Sequence, residues 1–137
     1  MADTIRVESA DLLELSLKFE AMKAGTSEME DSVFRDAADL VASRSRGKVP
    51  IGPSEGGHAV SSIMALDGNV MEGGADFPYM GWLDFGGSVG IKNMVFRPYI
   101  GRGRFIWATL GDDRERLDRM YQDGLADLAR RSGLDVE

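Results

Sequence analysis

The sequence has no cysteine and a single histidine, His58, among its 137 residues. Without Cys there is no disulfide framework, thiolate metal site or cysteine nucleophile. One imidazole excludes a multi-histidine metal centre. Long apolar runs are also missing, so no membrane-spanning helix is expected. The opening residues MADTIRVESADLL show no basic stretch followed by an apolar one, so no secretory signal is expected either. Positive charge is scarce: 16 Lys and Arg face 23 Asp and Glu, a formal net charge of −7. That balance argues against a general nucleic-acid binder, because neutralising phosphates takes a surplus of bases.

The charge is unevenly spread. Residues 1–40 hold ten acids and four bases (−6), residues 41–109 five acids and seven bases (+2), and residues 110–137 eight acids and five bases (−3). The mildly basic middle is able to face an acidic surface, although charge also simply keeps a small protein soluble. The length suits one domain spanning 1–137, and neither a repeat nor a low-complexity linker divides it.

Apolar spacing supplies the elements. Residues 1–9 read as an arm, with a short strand or ordered stretch at Thr4–Val7. Leu12, Leu15, Phe19 and Met22 form one stripe at three- and four-residue steps, predicting a helix over Ala10–Met22 that Gly25 ends. Met29, Val33, Ala37, Leu40 and Val41 predict a second helix from Glu28 to Ser43, with Arg44, Arg46 and Lys48 at its C-terminal end, where bases oppose the dipole. Val49–Gly57 is rich in Pro and Gly and reads as a loop. His58–Leu66 suits a strand, Asp67-Gly68 is a hairpin signal, and Asn69–Glu72 is the returning strand. Tyr79–Phe85 is aromatic and strand-like, residues 86–93 read as a flexible Gly-rich loop, and Met94–Phe96 is a short strand before Pro98. Asp112–Ser132 is a long amphipathic helix with Gly133 as its C-terminal stop. Gly124 inside it weakens the helix by about 1 kcal/mol relative to Ala and suggests close packing against another backbone. The expected fold is α+β: two N-terminal helices, a small antiparallel sheet with a β-hairpin, and a long C-terminal helix.

Candidate chemistry is sparse. His58 lies near Ser61 and Ser62, but no GxSxG elbow is present. Gly101-Arg102-Gly103-Arg104 has the glycines and arginines of a phosphate site but neither the P-loop nor the dinucleotide spacing, and reads as a bend whose arginines pair with carboxylates. Asp112-Asp113 sits where a helix begins, which makes capping its expected role and Mg²⁺ binding the alternative. No catalytic, metal-binding or cofactor-binding residue is expected. In an extended Tyr79–Gly87 segment, Tyr79, Leu83 and Phe85 would share one face and Met80, Trp82 and Asp84 the other. One face then meets the helices, and the other is covered by core or by a neighbouring subunit.

The strand Tyr79, Trp82, Leu83, Asp84, Phe85, Gly86, Gly87, a variable loop, the block Arg97-Pro98-Tyr99-Ile100 followed by Gly103-Arg104-Phe105-Ile106 and Ala108, and a long C-terminal helix together resemble the neck and tail-completion family of long-tailed bacteriophages, in the version found in phages of actinobacteria. The resemblance covers most of residues 28–137. It departs where relatives carry Thr-Gly-x-Leu-[Arg/Lys] and this chain has Gly56-Gly57-His58-Ala59-Val60. The resemblance implies a non-enzymatic virion protein at the head–tail junction, assembled in the host cytoplasm. Its implied partners are its own copies in a ring, most often of six, and other neck and tail proteins such as connector, stopper and tail tube. DNA would pass through without specific binding, and no membrane is involved. Interface residues are then expected at Tyr79, Trp82, Asp84, Phe85, Arg97 and Tyr99 and in the 86–93 loop, with core packing, or for Arg97 a pair with Asp84, as the alternative at each. A tail terminator ring is the alternative within the same class. A small hydrolase using His58 or an acidic pair, and a soluble binding module, are the alternatives from others.

Overall fold

The computed structural model describes residues 9–51 and 59–136. His58, the Thr4–Val7 stretch and most of the Val49–Gly57 loop lie outside them. The fold mixes helix and sheet. A long helix α1 (Ser9–Arg46) leads to a 3₁₀ turn (Ala59–Ser62) and a hairpin of β1 (Met64–Leu66) and β2 (Asn69–Met71). Next come a short helix α2 (Met80–Phe85) and a second hairpin of β3 (Gly87–Val89) and β4 (Val95–Arg97), whose connection holds a 3₁₀ turn at Ile91–Asn93. Helices α3 (Ile106–Asp112) and α4 (Arg114–Arg131) close the chain. None of the described helices is long and apolar enough to cross a membrane.

Two N-terminal helices were expected, and α1 is one. Gly25 does not stop it, because it faces α4 rather than a turn: a Cβ there would lie 2.6 Å from Leu128 Cδ1. Thr26, inside the continuing helix, donates its hydroxyl to the Met22 carbonyl one turn back, 2.9 Å away. Helix α4 runs antiparallel to α1. Leu128 meets Gly25, Gly124 meets Met29 and Val33, Tyr121 stacks on Phe34 and donates to Glu30 at 2.9 Å, and Asp113 meets Arg44. Gly124 does mark a close approach, but to side chains of α1 rather than to a backbone: a Cβ would lie 2.7 Å from Val33 Cγ2. The α4 terminus also forms as the sequence indicates. Gly133 has φ +85°, and the Leu134 and Gly133 amides return to the Ala129 and Arg130 carbonyls.

The first hairpin follows its Asp-Gly signal. Both turn residues have positive φ (Asp67 +49°, Gly68 +79°), and Leu66 pairs with Asn69 across them. Its first strand is shorter than expected, since the segment ahead of Met64 coils into the 3₁₀ turn and buries Ala59, Ser62 and Ile63. The core gathers at the C-terminal end of α1: Ala42, Val49, Ala59, Ile63, Met80 and Phe105, with Val70, Phe77 and Leu83 packed around them.

Tyr79–Phe85 is helical, not extended, from Met80 onward. Met80 and Asp84, one helical turn apart, both turn inward at 1% exposure. Six residues are too few for periodicity to separate the two conformations, and the aromatic content points to a strand. The 86–93 segment is likewise not a plain loop: Gly87, Ser88 and Val89 pair with Arg97, Phe96 and Val95. The two hairpins form separate two-stranded sheets rather than one.

Gly86 fixes the turn between α2 and β3. Its φ is +91°, and a Cβ would lie 2.1 Å from the Pro98 carbonyl oxygen. Gly86→Ala is expected to destabilise the protein by at least ~2 kcal/mol. Gly81→Ala, within α2 and with open space around it, is expected to be neutral or to stabilise by up to ~1 kcal/mol. Urea denaturation of the two variants checks the contrast.

Candidate functional site

The residues singled out in the sequence come together in one unit made of α2, the β3–β4 hairpin and the turn before α3. Asp84 is its centre. Its Oδ1 accepts the backbone N–H of Phe105 at 2.9 Å and that of Arg104. Gly103 leaves the space for this, because a Cβ there would lie 2.6 Å from the same oxygen. Arg104 returns the contact: its guanidinium donates to the Asp84 carbonyl at 2.8 Å and to the Pro98 carbonyl. The 101–104 segment is therefore the bend its glycines suggested, but Arg104 binds main-chain carbonyls rather than a carboxylate side chain.

Arg97 does not pair with Asp84. Its Nε donates to the Leu83 carbonyl at 2.9 Å, and its guanidinium lies over the Trp82 ring, 5.9 Å from the centroid. Trp82 Nε1 donates to the Gly87 carbonyl at 3.0 Å. The Ile100 amide donates to the Phe85 carbonyl at 2.7 Å. These bonds hold the second hairpin to α2, since a lone two-stranded ribbon is marginal in water.

The interface candidates separate by position. Asp84 has its carboxylate inside its own chain, and Trp82, Phe85 and Arg97 are half-buried in the unit just described. Tyr99 is 72% exposed and Tyr79 is also exposed. Ile91, 85% exposed, lies in the 86–93 segment already singled out, but sequence reasoning passed over Met94, Val95 and Phe96, the outward apolar residues of the second hairpin, and Trp107 on α3. Unbroken apolar character from Met94 to Phe96 was the available signal, taken only as a short strand.

The bases at the end of α1 reach further than the dipole. Arg44 meets buried Asp113 in a close ionic contact, Lys48 meets Asp112 at 2.7 Å, and Arg46 donates to the Ile63 carbonyl at 2.8 Å. Lys48 holds the Asp112 carboxyl below its ordinary range. Asp113 does occupy the position before α4, but its side chain makes no capping bond. Ser45, fully buried, donates to the Thr109 hydroxyl at 3.1 Å and so fixes α3 to α1. Among the described residues no three acidic or histidine side chains cluster as a metal site.

One titratable group stands out. Glu72, just beyond β2, lies close enough to Asp84 for the two carboxyls to interact, and Glu72 Oε2 and Asp84 Oδ2 are both buried without a hydrogen-bond partner. Burial, then the interaction with Asp84 and its charge, push the Glu72 carboxyl up to about 8. A protonated Glu72 has a donor to offer the buried oxygen of Asp84. The folded state binds that proton more tightly than the unfolded chain. The resulting stability is full below about pH 4.5 and is lost as pH rises toward about 8. Glu72→Gln keeps a donor that does not titrate. The melting temperature of Glu72→Gln minus that of the parent is expected to grow from pH 4.5 to pH 8, and parallel profiles would rule out the raised Glu72 carboxyl.

No protein-family model, curated protein or solved structure matches the chain.

Proposed function

We propose that this protein is a structural, non-enzymatic part of the head–tail junction of a long-tailed bacteriophage, of the neck or tail-completion type. It acts as a ring of its own copies, stacked between connector and tail and surrounding the path of the DNA. One observation supports this above the others. The two sequence blocks that carry the resemblance, Tyr79–Gly87 and Arg97–Ala108, fold into a single unit around Asp84. That unit spends its polar groups on itself and turns Val95, Phe96 and Tyr99 outward. A ribbon held rigidly at its base, with apolar residues at its surface, is suited to contact another subunit. The net charge of −7 fits a protein beside DNA that does not hold it.

Deletion of the gene from the phage is expected to yield separate filled heads and tails. Intact infectious particles from the deletion would overturn the reading. In a virion map, density between connector and tail marks the completion type, and density capping the tail tube alone marks a terminator. Phe96 is 69% exposed and contributes little to its own fold. Phe96→Asp, supplied in trans to the deletion phage, is expected to change stability by less than ~0.5 kcal/mol and yet fail to restore plaques. Full complementation by Phe96→Asp would exclude the hairpin as the contact.

A further inference from the structure

Helix α1 is longer than the body it supports. The chain end that follows α4 reaches α1 at Lys18, where a Cβ on Gly133 would lie 3.3 Å from the Lys18 side chain. The residues ahead of Lys18 run on past α4 as an arm. Leu12, Leu13, Leu15, Leu17 and Phe19 are all exposed, two residues in every three from Leu12 to Leu17 being leucine. The body, in turn, carries an open groove of about 500 Å³ between α1, the first hairpin, α3 and α4. Its walls include Val33, Phe34, Val70, Trp107, Leu110 and Tyr121.

We infer that the arm of one copy lies in this groove of a second copy. The inference deepens the self-assembly proposed above by naming its surfaces, and it rests on copies of the chain meeting one another. Three observations carry it. The first is reach. Arm and groove are set along the same rigid helix, and from Leu15 to Ala37 the rise is about 33 Å. The arm therefore cannot fill its own groove, so an arm lying there comes from another copy. The second is shape. Leu12, Leu15 and Phe19 follow one another at the three- and four-residue steps by which a helix anchors in an apolar groove. The third is charge. Residues 10–20 hold Asp11, Glu14 and Glu20 against Lys18, a net of −2. The groove has one charged lining residue, Asp118, and continues into a cleft that shares Asp118 and adds Arg102 and Arg114, so the joined surface carries one net positive charge; neither arginine is in an ion pair with the described residues. Two arms pairing with each other would bring like charges together and leave the groove empty. An arm in a groove joins two different patches, the kind of heterologous contact that forms a ring when the rotation between successive copies closes.

The absence of Cys makes the test direct. Ser16→Cys marks the arm, Asn69→Cys the groove and Ser88→Cys the second hairpin; each site is exposed and polar. Purified single variants are mixed in pairs and treated with a short bismaleimide. The expected result is a dominant Ser16→Cys to Asn69→Cys product. Placing Leu12→Asp and Leu15→Asp in the arm should cut it roughly tenfold or more, with the melting temperature unchanged because the arm lies outside the packed body. A dominant product between two Ser16→Cys chains would show arm-to-arm pairing and overturn the inference. A dominant Ser16→Cys to Ser88→Cys product would overturn it in favour of the hairpin. No product in any mixture would overturn it as well. The phage reading stands or falls separately, on the heads and tails of the deletion mutant.

Discussion

The buried carboxylate of Asp84 is the constraint around which the middle of the molecule is arranged. A carboxylate withdrawn from water must have its oxygens occupied. One oxygen takes the amides of Arg104 and Phe105, and the other faces the Glu72 carboxyl. Three chain segments far apart in sequence are thereby fixed relative to one another: the end of the first hairpin, α2, and the turn into α3. Phe105 is set into the core by the same contact that satisfies Asp84, and Ser45 reaches Thr109 one helical turn further on. The glycines at 86 and 103 exist for this geometry. Each removes the Cβ that would strike, respectively, the Pro98 carbonyl and the Asp84 carboxylate.

The second organising contact is the antiparallel seam of α1 and α4. It uses small residues where large ones would separate the helices. Gly25 admits Leu128, and Gly124 admits Met29 and Val33. Each glycine costs its helix about 1 kcal/mol of intrinsic propensity. The burial of Met29 and Leu128 at 4% exposure offsets that cost through apolar area removed from water. Farther along, the seam becomes polar: Arg44 meets Asp113 and Lys48 meets Asp112. The change from apolar to charged along α1 coincides with the corner where α3 turns into α4.

How much of this was legible in the sequence depended on the range of the signal. The Asp67-Gly68 hairpin and the Gly133 stop rest on local backbone chemistry, and both appear where the residues place them. Gly25 was misleading because a glycine that ends a helix and one that admits a neighbouring side chain look alike until the neighbour is known. Tyr79–Phe85 was misleading for a related reason. Its aromatic residues favour a pleated surface only when a strand lies beside them. In the fold the segment is helical and buries Asp84, whose partners lie some twenty residues later at Arg104 and Phe105, beyond the reach of a local pattern. The site shows the same division. The residues Trp82, Asp84, Phe85 and Arg97 do gather in one place, but which of them point inward follows from hydrogen bonds that spacing alone does not encode.

The balance of polar and apolar groups links this architecture to the proposed role. Around Asp84 the polar side chains are turned inward onto the backbone: Arg97 to Leu83, Arg104 to Asp84 and Pro98, Trp82 to Gly87. Large apolar side chains at Val95, Phe96 and Tyr99 are left outside, as are the leucines of the α1 arm. A small protein that served only its own stability would gain by exchanging these positions, since burying apolar area is favourable and exposed charge keeps a chain soluble. The inversion falls on two projections, the hairpin and the arm, each joined to the body by a stiff support. Under the proposed reading that cost to the free subunit is recovered at assembly, when the projections meet neighbouring copies. Under the same reading, the acidic charge concentrated in residues 1–40 and 110–137 would repel nucleic acid and other copies until the apolar projections are covered.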